Sequence, residues 1–129
     1  MNFTFKKEER LCSKKAIEIV IKEGKIEFCF PFRVQWIVTD YPITRHSQVA
    51  FSVPKKRFKR ANKRNLIKRR LREAFRLNKA QLYQFLQEKE INIQLLIVYI
   101  APETMSYNEL ENKIKIIFDR ILSKLQETA

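Results

Sequence analysis

The spacing of apolar residues along this chain changes several times, and each change marks an element. Ile17, Val20 and Ile21 recur at helical spacing between Ser13, a residue type that caps helix N-termini, and Gly24, the sole glycine and a stop signal. The period then drops to two. Phe28, Phe30, Phe32, Val34, Trp36 and Val38 alternate with other residues, which predicts a strand over 28–38. Asp40, Tyr41 and Pro42 read as a turn, and a second strand runs from about Gln48 to Val53, ahead of Pro54. A helix opens at Ala61 or Asn62 and extends to about Asn78, and helical spacing resumes at Leu82, Phe85 and Leu86. Leu95–Ile100 is an unbroken apolar run and reads as a buried central strand. Ser106 and Glu109 fit a capping box, and Leu110, Ile114, Ile117, Ile121 and Leu125 make the apolar stripe of a last helix.

The resulting order, α-β-β-α-β-α with room for a further short strand, predicts an α+β fold. Helices would pack on a small mixed sheet in a two-layer sandwich, as a single domain over residues 1–129. The longest apolar run is far too short to cross a membrane as a helix, and the charged first ten residues lack the apolar core of a secretion signal. Two cysteines, Cys12 and Cys29, and one histidine, His46, cannot alone form a four-ligand zinc site, nor do they make a recognisable nucleophile–base pair. The expectation is a cytoplasmic protein with unpaired, structural cysteines and His46 in a loop.

Charge sharpens this picture. Lysine and arginine total 27 against 14 acidic residues, a net charge of +13. The excess is local: residues 55–76 hold twelve basic side chains and one acidic, a net of +11. Within the helix expected there, Ile67, Leu71, Ala74 and Phe75 share one face, while Arg64, Lys68, Arg72 and Arg76 form a row spaced by four on another. Like charges at that spacing cost about 0.2–0.5 kcal/mol per pair, and cations at a helix N-terminus oppose its dipole. A face shaped for stability would interleave glutamates, yet Glu73 stands alone. Phosphate neutralises the row and suits a helix N-terminus, so this segment reads as a nucleic-acid surface. Side chains suited to phosphate contacts and to stacking on unpaired bases tilt the reading toward structured RNA.

The residues Phe51-Ser52-Val53-Pro54-Lys55-Lys56 followed by Ala61-Asn62-Lys63-Arg64-Asn65-Leu66-Ile67-Lys68-Arg69-Arg70-Leu71-Arg72 resemble the protein component of bacterial ribonuclease P. That family has a strand ending in Ser-Val-x-Lys-Lys before a basic helix, and the resemblance covers roughly residues 5–125. It implies a left-handed β-α-β crossover, where general chain rules favour the right hand. It also implies a role in removing the 5′ leader of precursor tRNA, as the protein subunit of an endoribonuclease whose RNA subunit is catalytic and holds the Mg2+. The implied partners are that RNA and precursor tRNA, with no membrane and no obligate protein partner. No catalytic or metal-binding residue is expected in this chain.

By position, Arg64, Asn65, Lys68, Arg69 and Arg72 would contact RNA, with Lys55, Lys56, Arg57, Lys59, Arg60 and Lys63 extending the surface. The resemblance also implies a cleft between the first helix and the sheet for the single-stranded leader, lined here by Ile17, Ile21, Trp36 and Ser52. Three positions depart from the family pattern. Ile17 and Ile21 stand where phenylalanines are frequent, the cleft tyrosine aligns with Gln35 or Trp36, and Leu66 replaces an arginine whose contact Arg70 could take over. Phe28 and Phe32 share the strand face assigned to Trp36 and read first as core residues, while Lys22 and Lys25 flank the cleft and read as solvated. A ribosomal or RNA-chaperone protein using the same basic helix is the alternative, and a DNA-binding regulator a third.

Overall fold

The computed structural model describes residues 7–40 and 42–128, so Tyr41 of the expected turn lies outside the described residues. A short 3₁₀ turn, Lys7–Glu9, leads to α1 (Lys14–Glu23), β1 (Lys25–Cys29) and β2 (Phe32–Thr39). A second 3₁₀ turn, Thr44–His46, precedes β3 (Ser47–Ser52). Helices α2 (Ala61–Asn78) and α3 (Ala80–Lys89), strand β4 (Asn92–Tyr99) and helix α4 (Tyr107–Thr128) complete the chain. The α+β class and its sheet-plus-helices architecture are as the sequence predicts.

The four strands lie in the order β1-β2-β4-β3. β2 pairs antiparallel with β1 and β4, whereas β3 and β4 run parallel, with α2 and α3 forming the connection that a parallel pair requires. The central strand β4 is buried on both faces along nearly its whole length, which explains its continuous apolar run.

The expected single strand over 28–38 is a hairpin. The chain reverses at Phe30-Pro31, whose peptide bond is cis, and Cys29 pairs with Phe32. Partners across a hairpin share a sheet face, so the alternation changes parity at the turn. Phe32, Val34 and Trp36 face the large core with α2, α3 and α4, but Phe28 and Ile26 do not.

Two apolar clusters result. The larger fills the α2/α3/α4 side, where Phe75 stands edge-on to Phe118 with ring centroids 5.4 Å apart. The smaller, on the opposite face, joins Leu11 and Val20 to Leu96 and Val98 beneath α1.

Local signals explain the ends of α1 and α4. The Ser13 hydroxyl accepts from the Ala16 N–H (3.2 Å), and Ser106 accepts from the Glu109 N–H (3.3 Å). Gly24 ends α1 for a different reason from the one its residue type suggests. Its φ of −70° is open to any residue, but a Cβ there would sit 2.4 Å from the Val20 carbonyl oxygen. The glycine is required by close approach.

A fully buried ion pair fastens the N-terminal segment. Lys79 Nζ donates to Glu9 Oε1 at 2.6 Å, with both side chains inaccessible, and the ammonium lies 5.0 Å from the Tyr83 ring centroid. Lys79 is the residue between α2 and α3, so the pair ties the start of the chain to that junction.

Candidate nucleic-acid interface

The apolar residues of α2 set the orientation of its charges. Ile67, Leu71, Ala74 and Phe75 are buried against the core, as their spacing predicts. Asn65, Arg69 and Arg72 are therefore turned outward and exposed, with Lys63 exposed near the N-terminus and Lys68 half-buried. Lys63, Lys68, Arg69 and Arg72 take part in no ion pair among the described residues.

Two other arginines of the row have internal partners. Arg64 donates through Nη1 to the carbonyls of Phe58 (2.7 Å) and Lys59 (2.8 Å), and Arg76 pairs with Glu73 at 2.5 Å. That carboxylate is held below its usual range by the Arg76 hydrogen bond. Arg60 is the cap residue outside the helix. The expected like-charge cost is thus concentrated at Arg64–Lys68 and Lys68–Arg72. Arg70, the residue that could take over the contact of the missing motif arginine, is half-buried and donates through Nη1 to the Met105 carbonyl at 2.7 Å.

The loop before α2 is held in shape by a residue that charge counting overlooked. Phe58 is buried, its ring 5.8 Å from that of Tyr99, and its N–H meets the Pro54 carbonyl at 3.3 Å. Around this anchor Lys55, Lys56, Arg57, Lys59 and Arg60 are all exposed. Arg57, Lys59, Arg60 and Lys63 line a depression of about 350 Å3 with Pro102, Glu103 and Thr104. Arg60 at the cap position of α2 cannot accept a hydrogen bond, and within the first turn Asn62 Oδ1 accepts from the Lys63 N–H at 2.9 Å. A helix start framed by cations, with no acceptor on its cap residue, favours a phosphate oxygen. The isolated apolar signal at Phe58, amid five cations, was the clue in the sequence.

The second expected surface lies on the α1 side of the sheet. Ser52 is half-buried on β3 and pairs with Val98, a member of the cluster under α1. Ile17 packs partly against that cluster, and Ile21 is half exposed at the other end of α1. Trp36, assigned to the same surface, points the other way. It is 1% exposed in the large core, with Lys25 Nζ 5.2 Å from its ring centroid, so it cannot reach a ligand on this face.

Its neighbour Gln35 occupies the α1 side, donating to the Ile21 carbonyl at 3.0 Å. Phe32 is fully buried core, as expected, whereas Phe28 is 64% exposed and is not. Lys22 is exposed, His46 is the half-buried last residue of the Thr44–His46 turn, Cys29 is buried, and Cys12 is exposed rather than structural.

Among the described residues no three His, Cys, Asp or Glu side chains come together as a possible metal set, and no helix is long and apolar enough to cross a membrane. The arrangement can bind a polyanion over a preformed cationic loop and helix, next to the partly apolar sheet face that carries α1.

A family model described as Ribonuclease P matches residues 5–122. The chain is 35% identical over 127 residues to the ribonuclease P protein component of Porphyromonas gingivalis, covering 98% of this chain and 93% of that one. Its fold is similar to the RNase P protein of Staphylococcus aureus, with a TM-score of 0.71 at 19% identity, covering 88% of this chain and 94% of that one. It is likewise similar to the RNase P protein of Thermotoga maritima, with a TM-score of 0.66 at 22% identity, covering 87% and 96%.

Proposed function

We propose that this chain, which belongs to the ribonuclease P protein family, binds both a catalytic RNA and the 5′ leader of precursor tRNA, supporting removal of that leader. The observation that carries this reading is the pairing of two surfaces. The cationic side of α2 and its loop presents Lys63, Lys68, Arg69 and Arg72 without ion-pair partners among the described residues, and β3, ending at Ser52 on the sheet face that carries α1, runs directly into that loop. Phosphates of a folded RNA match the first surface and a single strand matches the second.

In this reading the chemistry belongs to the RNA subunit. Mg2+ bound to that RNA would supply activation of the attacking water and stabilisation of the leaving oxygen. The protein's own residues bind and orient: the α2 cations position RNA phosphates, and the groove holds the leader in extended form. The reading places the protein in the cytoplasm with its RNA partners.

The test is leader removal at low magnesium by the catalytic RNA of the same organism, with wild-type protein or the Lys68→Ala/Arg72→Ala variant. Cleavage that depends on the wild-type protein and falls at least tenfold with the variant supports the assignment. Tight RNA binding with no effect on cleavage would transfer the chain to the alternative, a ribosomal or RNA-chaperone role.

A further inference from the structure

Four residues stand side by side across the whole sheet on the face that carries α1. Phe28 of β1 pairs with Arg33 of β2, Arg33 with Val98 of β4, and Val98 with Ser52 of β3. At about 4.8 Å between neighbouring strands, the row spans roughly 14 Å. Ser52 ends it beside the cationic loop. Phe28 ends it at the open edge of the sheet.

Alternation along β1 sets the direction of the Phe28 ring. Glu27 pairs with Lys124 of α4 and Cys29 lies in the large core, so Phe28 between them faces the other side. The Phe28 carbonyl accepts from Arg120 Nη1 at 2.7 Å, which holds the strand from behind. Beside the ring, Arg33 is half-buried, and its Nε is inaccessible with no hydrogen-bond partner among the described residues. A large ring exposed on an edge strand and a buried N–H without an acceptor are both unfavourable in isolation. A ligand with a flat π-face covers the ring, and its anionic oxygens reward the guanidinium for turning out of a position in which its Nε has no partner among the described residues.

Single-stranded RNA has that chemistry. Bases of any identity stack on an aromatic ring, and a guanidinium takes a phosphate or stacks in turn. Helix α1 offers the groove only aliphatic Ile17 and Ile21, and Trp36 is on the opposite face.

We infer that Phe28 and Arg33 form the stacking platform for the leader in this protein, so that the leader crosses the sheet from Ser52 toward the β1 edge. The inference rests on the leader-binding reading above and assigns its aromatic contact. The continuity of the row with the cationic loop favours RNA over a second copy of the chain as the occupant.

The test titrates the protein–catalytic RNA complex with precursor tRNA and with leader-free tRNA, using wild type, Phe28→Ala and Phe28→Trp. Phe28→Ala is expected to weaken binding of the leader-bearing substrate about tenfold, leave leader-free tRNA unchanged, and be rescued by Phe28→Trp. Because the ring is exposed, matching melting curves will show that the alanine variant folds.

If the wild type prefers the leader-bearing substrate and Phe28→Ala keeps that preference, the platform lies elsewhere and the inference fails alone. If the wild type shows no preference, the leader-binding reading fails with it. A wild-type dimer in sedimentation that Phe28→Ala dissociates would assign the ring to a second copy and overturn the inference.

Discussion

Gly24 and Lys79 show how much of this fold rests on single side chains, one absent and one long. At Gly24 the obstacle to any substitution is a backbone oxygen, which cannot swing aside as a side chain would. Gly24→Ala should therefore destabilise the protein by about 1–3 kcal/mol, read from urea midpoints, without any change in helix propensity being responsible. Lys79 is a different case. Removing its ammonium in Lys79→Met takes the Lys79 charge away from the buried Glu9 carboxylate, and a loss of about 3–5 kcal/mol is expected. The double variant Glu9→Leu/Lys79→Met should recover most of that loss, because no charge is then left buried. A double variant as unstable as the single one would mean that packing, not charge, governs the site.

At the scale of the element, the arginines of α2 divide into those held by the protein and those left for a ligand. Arg64→Ala should lower the melting temperature by freeing the loop that carries Phe58. Arg69→Ala/Arg72→Ala should leave it unchanged or raise it slightly. The same double variant should reduce the slope of log affinity against log salt by about 0.7–0.9 for each phosphate that the protein no longer neutralises. The junction of α2 with α4 carries a pH dependence of its own. Asn78 and Tyr107 donate to Glu111 and hold its carboxyl below the usual value of 4.5, while burial and then the Glu111 carboxylate push Tyr107 up to about 12.

The lowered Glu111 adds stability that is present above 4.5 and lost as pH falls through its folded value. The raised Tyr107 adds stability that is full below 10 and lost as pH climbs from 10 toward 12. Melting curves across pH should show Glu111→Gln flattening the acid limb and Tyr107→Phe the alkaline one. Helices α2 and α4 were legible in the sequence because their burial follows one period and their charges or caps mark their limits. The β1–β2 hairpin was not, because alternation runs unbroken through a turn that reverses its meaning. Everything after Pro31 changed faces, which sent Trp36 to the core and Phe28 to the surface. Internal hydrogen bonds of Arg64 and Arg70 were also beyond reach, since composition counts a guanidinium but does not show where it points.

For the whole molecule, the governing fact is that a net +11 is confined to residues 55–76. An anion that binds there binds the folded state, so sulfate should raise the melting temperature at matched ionic strength. No rise would show that the cations act only when an RNA backbone aligns them. The class of fold, the cationic surface and, through the resemblance, a cleft beside the first helix could be read from the chain, whereas the aromatic that faces it could not, because that depends on register across the strands.

The buried pair of Glu9 and Lys79 also bears on how the protein is made. Seventy residues separate its members. At about 5–20 residues per second, a ribosome takes roughly 4–14 s to supply the lysine after the glutamate, and β4, on which β3 depends, comes later still. When the lysine is added the whole cationic segment, residues 55–76, has just been made, and β4 (Asn92–Tyr99) has not. A growing chain of this protein is thus a polycation before it is a fold, and RNA close to the ribosome meets it in that order.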